Sequence, residues 1–321
     1  RSAYLKGLAL QVKGQHQLAR ERFDAALADA PDLVPALQRR GLCRAELDDR
    51  SGALADLARA IELQGTWDAA PWYYRGNVRN NQDDDVGAAE DLTKALALAP
   101  ESIATAIARA LMLVVVDRLP DALDTFTALI ERRPDVWAAI YYRGWARARR
   151  GSDLSGGVED MTRVIALAPR AASAWRERGF CRIKLGDPGA ARTDLDRAID
   201  LDATDLEAYD LRAEACGQLN DAPAMERDAA QVIRLDPARA SGWCDRSTAR
   251  LLQGDLAGAM TDLEEALRLD PAWIWPIGQR ARLLALSGDR DGALEGFARA
   301  IAADPADDYS PPWVAGLGQP D

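Results

Sequence analysis

Residues 172–203 read ASAWRERGFCRIKLGDPGAARTDLDRAIDLDA, and this stretch decides the fold. The turn residues Gly186, Asp187, Pro188 and Gly189 divide it into two halves. In the second half, Ala191, Leu195 and Ala198 stand four and then three positions apart, which places them on one face of a helix. The first half offers Gly179, a small residue that lets a neighbouring helix approach, while Leu195 fills the seam. The unit is predicted to be two helices joined by a turn, ending near residue 203.

Its pattern repeats on both sides. Pro31, Pro100, Pro134, Pro169, Pro237, Pro271 and Pro305 fall in one frame, with Gly65 and Ala203 in its two vacancies. Successive steps are 34 residues, stretched to 35 at Gly65 to Pro100 and at Pro134 to Pro169. A small residue recurs in each first helix, at Gly7, Gly41, Gly76, Ala110, Gly144, Gly179, Ala213, Ser247 and Ala281. In the second helices a larger apolar residue recurs, including Phe23, Leu57, Leu92, Phe126, Met161, Leu195, Leu263 and Phe297. Proline halts each second helix because it lacks an N–H and its ring clashes with the preceding turn. No unit of this size buries its apolar face alone, so neighbours must stack. The chain is therefore predicted to be all-α, with nine units over residues 1–305 ending near 31, 65, 100, 134, 169, 203, 237, 271 and 305. Pro311 and Pro312 forbid a regular helix in the tail 306–321, where Tyr309 and Trp313 read as an extended cover or a linker.

Period, small residue, apolar run and closing proline, with Trp72, Trp175 and Trp243 early in their first helices, resemble the tetratricopeptide repeat (TPR). The resemblance covers nearly the whole chain and is weakest in units 4 and 7. It implies a right-handed α-solenoid, or superhelix, whose first helices line a concave groove that takes a peptide or a partner domain. By the same analogy the groove-facing residues are Tyr73, Asn77 and Asn81 in unit 3 and Ile107 and Leu111, with Val114 and Val115, in unit 4. They continue with Tyr141, Trp145 and Arg149 in unit 5 and Arg176, Phe180 and Lys184 in unit 6. Unit 7 turns acidic there, with Glu207, Asp210 and Glu214.

An arginine precedes the small residue in eight consecutive units: Arg40, Arg75, Arg109, Arg143, Arg178, Arg212, Arg246 and Arg280. Five of these units add a second arginine four residues on, and all five carry an aspartate in the second helix: Asp56, Asp91, Asp160, Asp194 and Asp262. Asp228 holds the same place in unit 7, whereas units 4 and 9 have Thr125 and Gly296 instead. Two arginines at i and i+4 share a face and can clamp one carboxylate. The structural reading is an ion-pair ladder that sets the register of the stack. The functional reading is a basic stripe for RNA or a phosphorylated ligand.

The 321 residues are 48% hydrophobic and 28% charged, which suits a packed chain, and the net charge is -11. That sign disfavours nucleic acid and acidic membranes as partners, because such binding neutralises phosphate with basic side chains. No segment approaches the ~20 apolar residues of a membrane span. Cys43, Cys181, Cys216 and Cys244 form no metal-ligand spacing and read as buried free thiols of a reducing, cytoplasmic compartment. The one histidine, His16, reads as a solvated turn residue, and no triad, phosphate loop or metal motif appears. The chain is thus expected to be no enzyme and to need no cofactor, acting as a protein-interaction scaffold. The alternative is a regulatory segment of a larger enzyme, a kinase or a protease, since the first unit begins almost at Arg1 without an initiator Met.

Overall fold

The computed structural model describes residues 2–64, 68–151 and 153–303. Among them are eighteen helices and no strand. They form two compact units, residues 1–153 and 154–321. The first holds α1 (Ser2–Val12), α2 (His16–Asp29), α3 (Val34–Glu46), α4 (Arg50–Gln64), α5 (Ala70–Asn80), α6 (Asp85–Leu98), α7 (Ile103–Val115), α8 (Leu119–Arg132) and α9 (Trp137–Arg150). The second holds α10 (Leu154–Leu167), α11 (Ala172–Lys184), α12 (Pro188–Leu201), α13 (Leu206–Gln218), α14 (Ala222–Leu235), α15 (Ala240–Leu252), α16 (Leu256–Leu269), α17 (Ile274–Ser287) and α18 (Arg290–Ala303). The division falls inside repeat 5, where the period is stretched. Arg147 and Asp153 stand six positions apart, against five for Arg182 and Asp187 in repeat 6.

Within each unit successive helices pack antiparallel through short turns, the architecture of a tetratricopeptide solenoid. First helices of neighbouring repeats also touch: α1 with α3, α3 with α5 and α7 with α9 in the first unit, and α11 with α13 and α13 with α15 in the second. The close approach inside a repeat is sterically enforced. A Cβ added at Gly179 would lie 2.8 Å from Leu195 Cγ, and one at Gly76 would lie 3.0 Å from Leu92 Cγ. Those leucines, with Phe23, Leu57, Phe126, Met161 and Leu263, are fully buried. Each removes most of its apolar surface from water, a gain of about 1.5–3 kcal/mol.

Local rules place the helix ends. Asp84, Asp187, Asp221 and Asp255 are N-caps that accept a hydrogen bond from the backbone N–H of Gly87, Ala190, Ala224 and Gly258. A side-chain cap of this kind is worth about 1 kcal/mol. In the turn just before the second helix the backbone takes positive φ, at Gly14, Gly186, Gly254 and Gly288 but also at Asp48, Asp83, Asp117 and Asn220. These second helices end two positions before the framing prolines, at Asp29, Leu98, Arg132, Leu167, Leu235 and Leu269. The frame residues Gly65 and Pro305, and the tail residues Tyr309 and Trp313, lie outside the described residues.

Candidate partner-binding face

The arginine ladder is built by offset. Arg178 grips Asp194, sixteen positions on, with Nε at 2.8 Å and Nη2 at 2.7 Å, and Arg182 adds a third bond at 2.7 Å. Asp56, Asp91 and Asp262 are held in the same way by Arg40 with Arg44, Arg75 with Arg79, and Arg246 with Arg250. Arg212 holds Asp228 alone. All of these aspartates are buried. The hydrogen bonds that Arg40, Arg75 and Arg246 donate to the aspartates raise their pKa above the ordinary value. These arginines thus carry their charge into contacts with buried carboxylates, which leaves a basic stripe without the free cations it would need.

The ladder also reaches backwards, a feature the sequence reading missed. Sixteen positions before five of these arginines, on the second helix of the preceding repeat, stands a second partner: Arg40 meets Asp24, Arg109 meets Thr93 and Arg143 meets Thr127. Likewise, Arg178 meets Thr162 and Arg212 meets Asp196. One arginine therefore ties three helices. In these five repeats the signal was present as a hydroxyl or carboxylate at an offset of minus sixteen, a place that Arg59 and Ala230 fill before Arg75 and Arg246. Aromatic residues add a lid: the guanidinium groups of Arg75, Arg178 and Arg246 lie about 5 Å over the rings of Trp72, Trp175 and Trp243. The indole N–H groups of Trp175 and Trp243 donate at 3.0 Å to the carbonyls of Pro169 and Pro237, so these tryptophans join adjacent repeats.

The residues expected to face a partner sit on first helices. In the first unit, Tyr73 and Leu111 pack together on the cluster of Leu92 and Met112 and remain partly exposed. Asn77, Ile107, Trp145 and Arg149 are half-buried and Asn81 is exposed. Tyr141 meets Tyr142 edge to face at 5.3 Å, and Tyr142 stacks on Phe126. Val114 does not face outward: it is buried, and its carbonyl accepts a bond from Arg150 at 3.3 Å. It points inward because its position, next to Leu113, falls on the core side of α7.

In the second unit the expected basic positions are already engaged. Arg176 forms ion pairs with Asp205 at 2.6 Å and Glu207 at 3.1 Å. Lys184 pairs with Glu214 at 2.7 Å and lies over the ring of Phe180. Phe180 itself leans on the core around Leu195. The basic positions of repeat 6 and the acidic positions of repeat 7, read from sequence as successive zones, thus neutralise one another.

His16 is not in the turn but opens α2, half-buried. The four cysteines are buried free thiols, and burial pushes the Cys43 thiol up to about 11. Among the described residues no cluster of His, Cys, Asp and Glu is able to hold a metal ion, and no helix is long and apolar enough to cross a membrane.

Comparison with known proteins agrees with this geometry. Two family profiles, both described as tetratricopeptide repeat, match residues 107–154 and 146–216. No curated protein matches the chain. Among solved structures, a tetratricopeptide repeat protein from Parabacteroides merdae aligns with 78% of this chain and 96% of its own, at 17% identity and a TM-score of 0.61. The APC/C hetero-tetramer Cut9-Hcn1 aligns with 99% of this chain and 76% of its own, at 14% identity and 0.63. YrrB, described as a TPR protein with an unusual peptide-binding site, aligns with 60% of this chain and 98% of its own, at 20% identity and 0.51. Residues 107–216 thus match tetratricopeptide-repeat profiles, and the described helices stack as in tetratricopeptide-repeat structures, in general the architecture of a protein-interaction scaffold.

Proposed function

We propose that this chain is an interaction scaffold whose first-helix face holds an extended peptide or a partner domain. One observation carries the reading. In the first unit Tyr73 and Leu111 pack on the core, Tyr141 packs on Tyr142, and these residues with Ile107 and Trp145 keep part of their surface in solvent. Anchored aromatics supply contact area at little conformational cost, which is how interface hot spots are built. Asn77 and Asn81 add amide groups able to pair with a peptide backbone. A similar solved fold, YrrB, is described as having a peptide-binding site, which supports the reading by analogy. The test is selection of a random displayed-peptide library on the whole chain beside a Tyr141→Ala/Trp145→Ala variant shown by circular dichroism to be folded. Enrichment of a motif by the wild type and its loss in the variant is the expected result. Equal enrichment by both would remove the first-unit surface from consideration.

A further inference from the structure

Repeat 4 breaks the ladder at one rung. Arg40, Arg178 and Arg212 turn Nε and Nη2 forward onto an aspartate and Nη1 back onto the preceding repeat. Arg109 is turned over. Its Nε donates back to Thr93 at 3.0 Å and its Nη1 forward to Thr125, and among the described residues Nη2 makes no hydrogen bond. Thr125 stands where those repeats carry the aspartate, so this guanidinium meets two hydroxyl groups and no carboxylate. Burial holds its pKa below the ordinary value, with Asp121 pulling the other way.

A cleft of about 320 Å³ opens at this rung. It is lined by Arg109, Asp121, Asp124, Thr125, Leu129 and Arg132 among others, so most of its wall comes from the second helix α8 and not from the first-helix face. Asp121 is paired with Arg118 at 2.7 Å. Arg132 gives one N–H to the carbonyl of Pro100 at 2.8 Å, and neither Arg132 nor the exposed Asp124 joins an ion pair among the described residues. Arg109 and Arg132 thus stand against one remaining carboxylate, an excess of one positive charge. Repeat 9, where Gly296 takes the aspartate's place, offers a comparison. There too a hollow, of about 140 Å³, is lined by the ladder arginine, Arg280. Its Arg280 and Arg299 are balanced by Asp289 and Glu295, so of the two open rungs repeat 4 keeps the excess.

We propose that the cleft of repeat 4 is a docking site for an acidic side chain, aspartate or glutamate, of a partner protein segment. The incoming carboxylate takes the place that Asp91 fills in repeat 3 and Asp194 in repeat 6, accepting from Nη2 of Arg109, and its methylene stem lies against Leu129. Five filled rungs of the same chain show that an arginine at this place grips a carboxylate with two N–H groups. Such charge-assisted bonds are about twice as strong as neutral ones. The chain as a whole carries a net charge of -11, so contact within the cleft, and not the field of the molecule, selects the acid. The site rests on the scaffold reading in requiring a protein partner, but it uses no residue of the first-helix face, so either can fail without the other.

The experiment is a set of twelve-residue peptides with varied flanks, each made in four forms with glutamate, aspartate, glutamine or norleucine at one central position. It is probed with the whole chain, with Thr125→Asp, with Arg109→Gln, and with the Tyr141→Ala/Trp145→Ala variant, each shown by circular dichroism to be folded. Thr125→Asp supplies the rung with its own acid and is expected to be at least as stable as the wild type, so binding lost there is not structure lost. Expected is retention of acidic forms by the wild type and by the Tyr141/Trp145 variant, with a tenfold or greater loss for the glutamine forms and in Thr125→Asp and Arg109→Gln. Equal retention of glutamate and glutamine forms overturns the proposal, as does retention unchanged by Thr125→Asp. Loss in the Tyr141/Trp145 variant with none in Thr125→Asp assigns binding to the first-helix face and overturns this site alone. Competition by inorganic phosphate as strong as the best peptide's, with no preference among flanks, also overturns it and makes the cleft a site for free anions.

Discussion

Arg109 differs from the other ladder arginines in what it meets. Its bonds go to the hydroxyl groups of Thr93 and Thr125, and in place of Thr125 the repeats on either side carry Asp91 and Asp160. Burial therefore lowers its pKa, the opposite of the shift at Arg75. Thr125→Asp would give it the acid that Arg212 finds in Asp228, a repeat that also lacks a second arginine. The substitution is expected to stabilise the first unit by about 1–2 kcal/mol, since hydrogen bonds between charged groups exceed neutral ones. Thermal melting checks it, and a lower midpoint would show that the threonine contact is already optimal. Asp245 makes the converse case. Burial, then repulsion from Asp210 and Glu214, pushes its carboxyl up to about 8, against the weaker pull of Arg239. Its folded pKa lies above the unfolded value, so between pH about 4 and 8 the native state holds a proton that the unfolded chain does not. This contribution to stability is present at pH 4 and lost as the pH rises through 8. The melting temperature of Asp245→Asn should accordingly pull ahead of the wild type across that window and then stay ahead. A difference that does not vary with pH would mean Asp245 is not held neutral.

At the scale of the helix and its turn, one backbone requirement is met by different residues. Gly186 has φ of 80° and Asp83 has φ of 60° at equivalent positions. L residues with a Cβ pay about 1–2 kcal/mol in this region, and glycine does not. Asp83→Gly should raise stability by about 0.5–1 kcal/mol, and Gly186→Ala should lower it by about 1 kcal/mol, as read from chemical denaturation midpoints. The same turns show what could be read in advance. Helices, turns and the stacking frame were legible because prolines, small residues and apolar seams recur with the period. The forward arginine–aspartate pairs were legible because both members vary together between repeats. The backward contacts were not read, because aspartate, threonine, arginine and alanine share that place and look unrelated in a linear sequence. The candidate face was legible only as positions. That Val114 turns inward, that Arg176 and Lys184 are spent on repeat 7, and that Asp245 lies near Asp210 and Glu214 depend on three-dimensional neighbours that no residue's own sequence context reveals.

Among the described residues the main helix contacts run between helices near in sequence, so stability is a sum of repeats and their interfaces. Asp194 tests this. It is buried, and its removal would strand Arg178 and Arg182. Asp194→Ala should cost about 3–5 kcal/mol where the pair lies. Hydrogen exchange should show protection lost in α11, α12 and α13 while α1 to α4 stay as before. Uniform loss along the chain would mean that the array unfolds as one body.

The two-way reach of the arginines also bears on how such a chain can change length. Because partners stand sixteen places on either side, a cut that respects the period keeps every grip in phase. Splicing out residues 205–238 removes 34 positions and brings Arg246 to sixteen places after Asp196, the partner that Arg212 uses now, while Asp262 stays ahead of it. In the full chain that backward place is filled by Ala230, so the shortened molecule would gain an acceptor. A splice one residue longer or shorter would set the first arginine beyond the join out of phase with the helix behind it. The ladder thus favours the gain or loss of whole repeats.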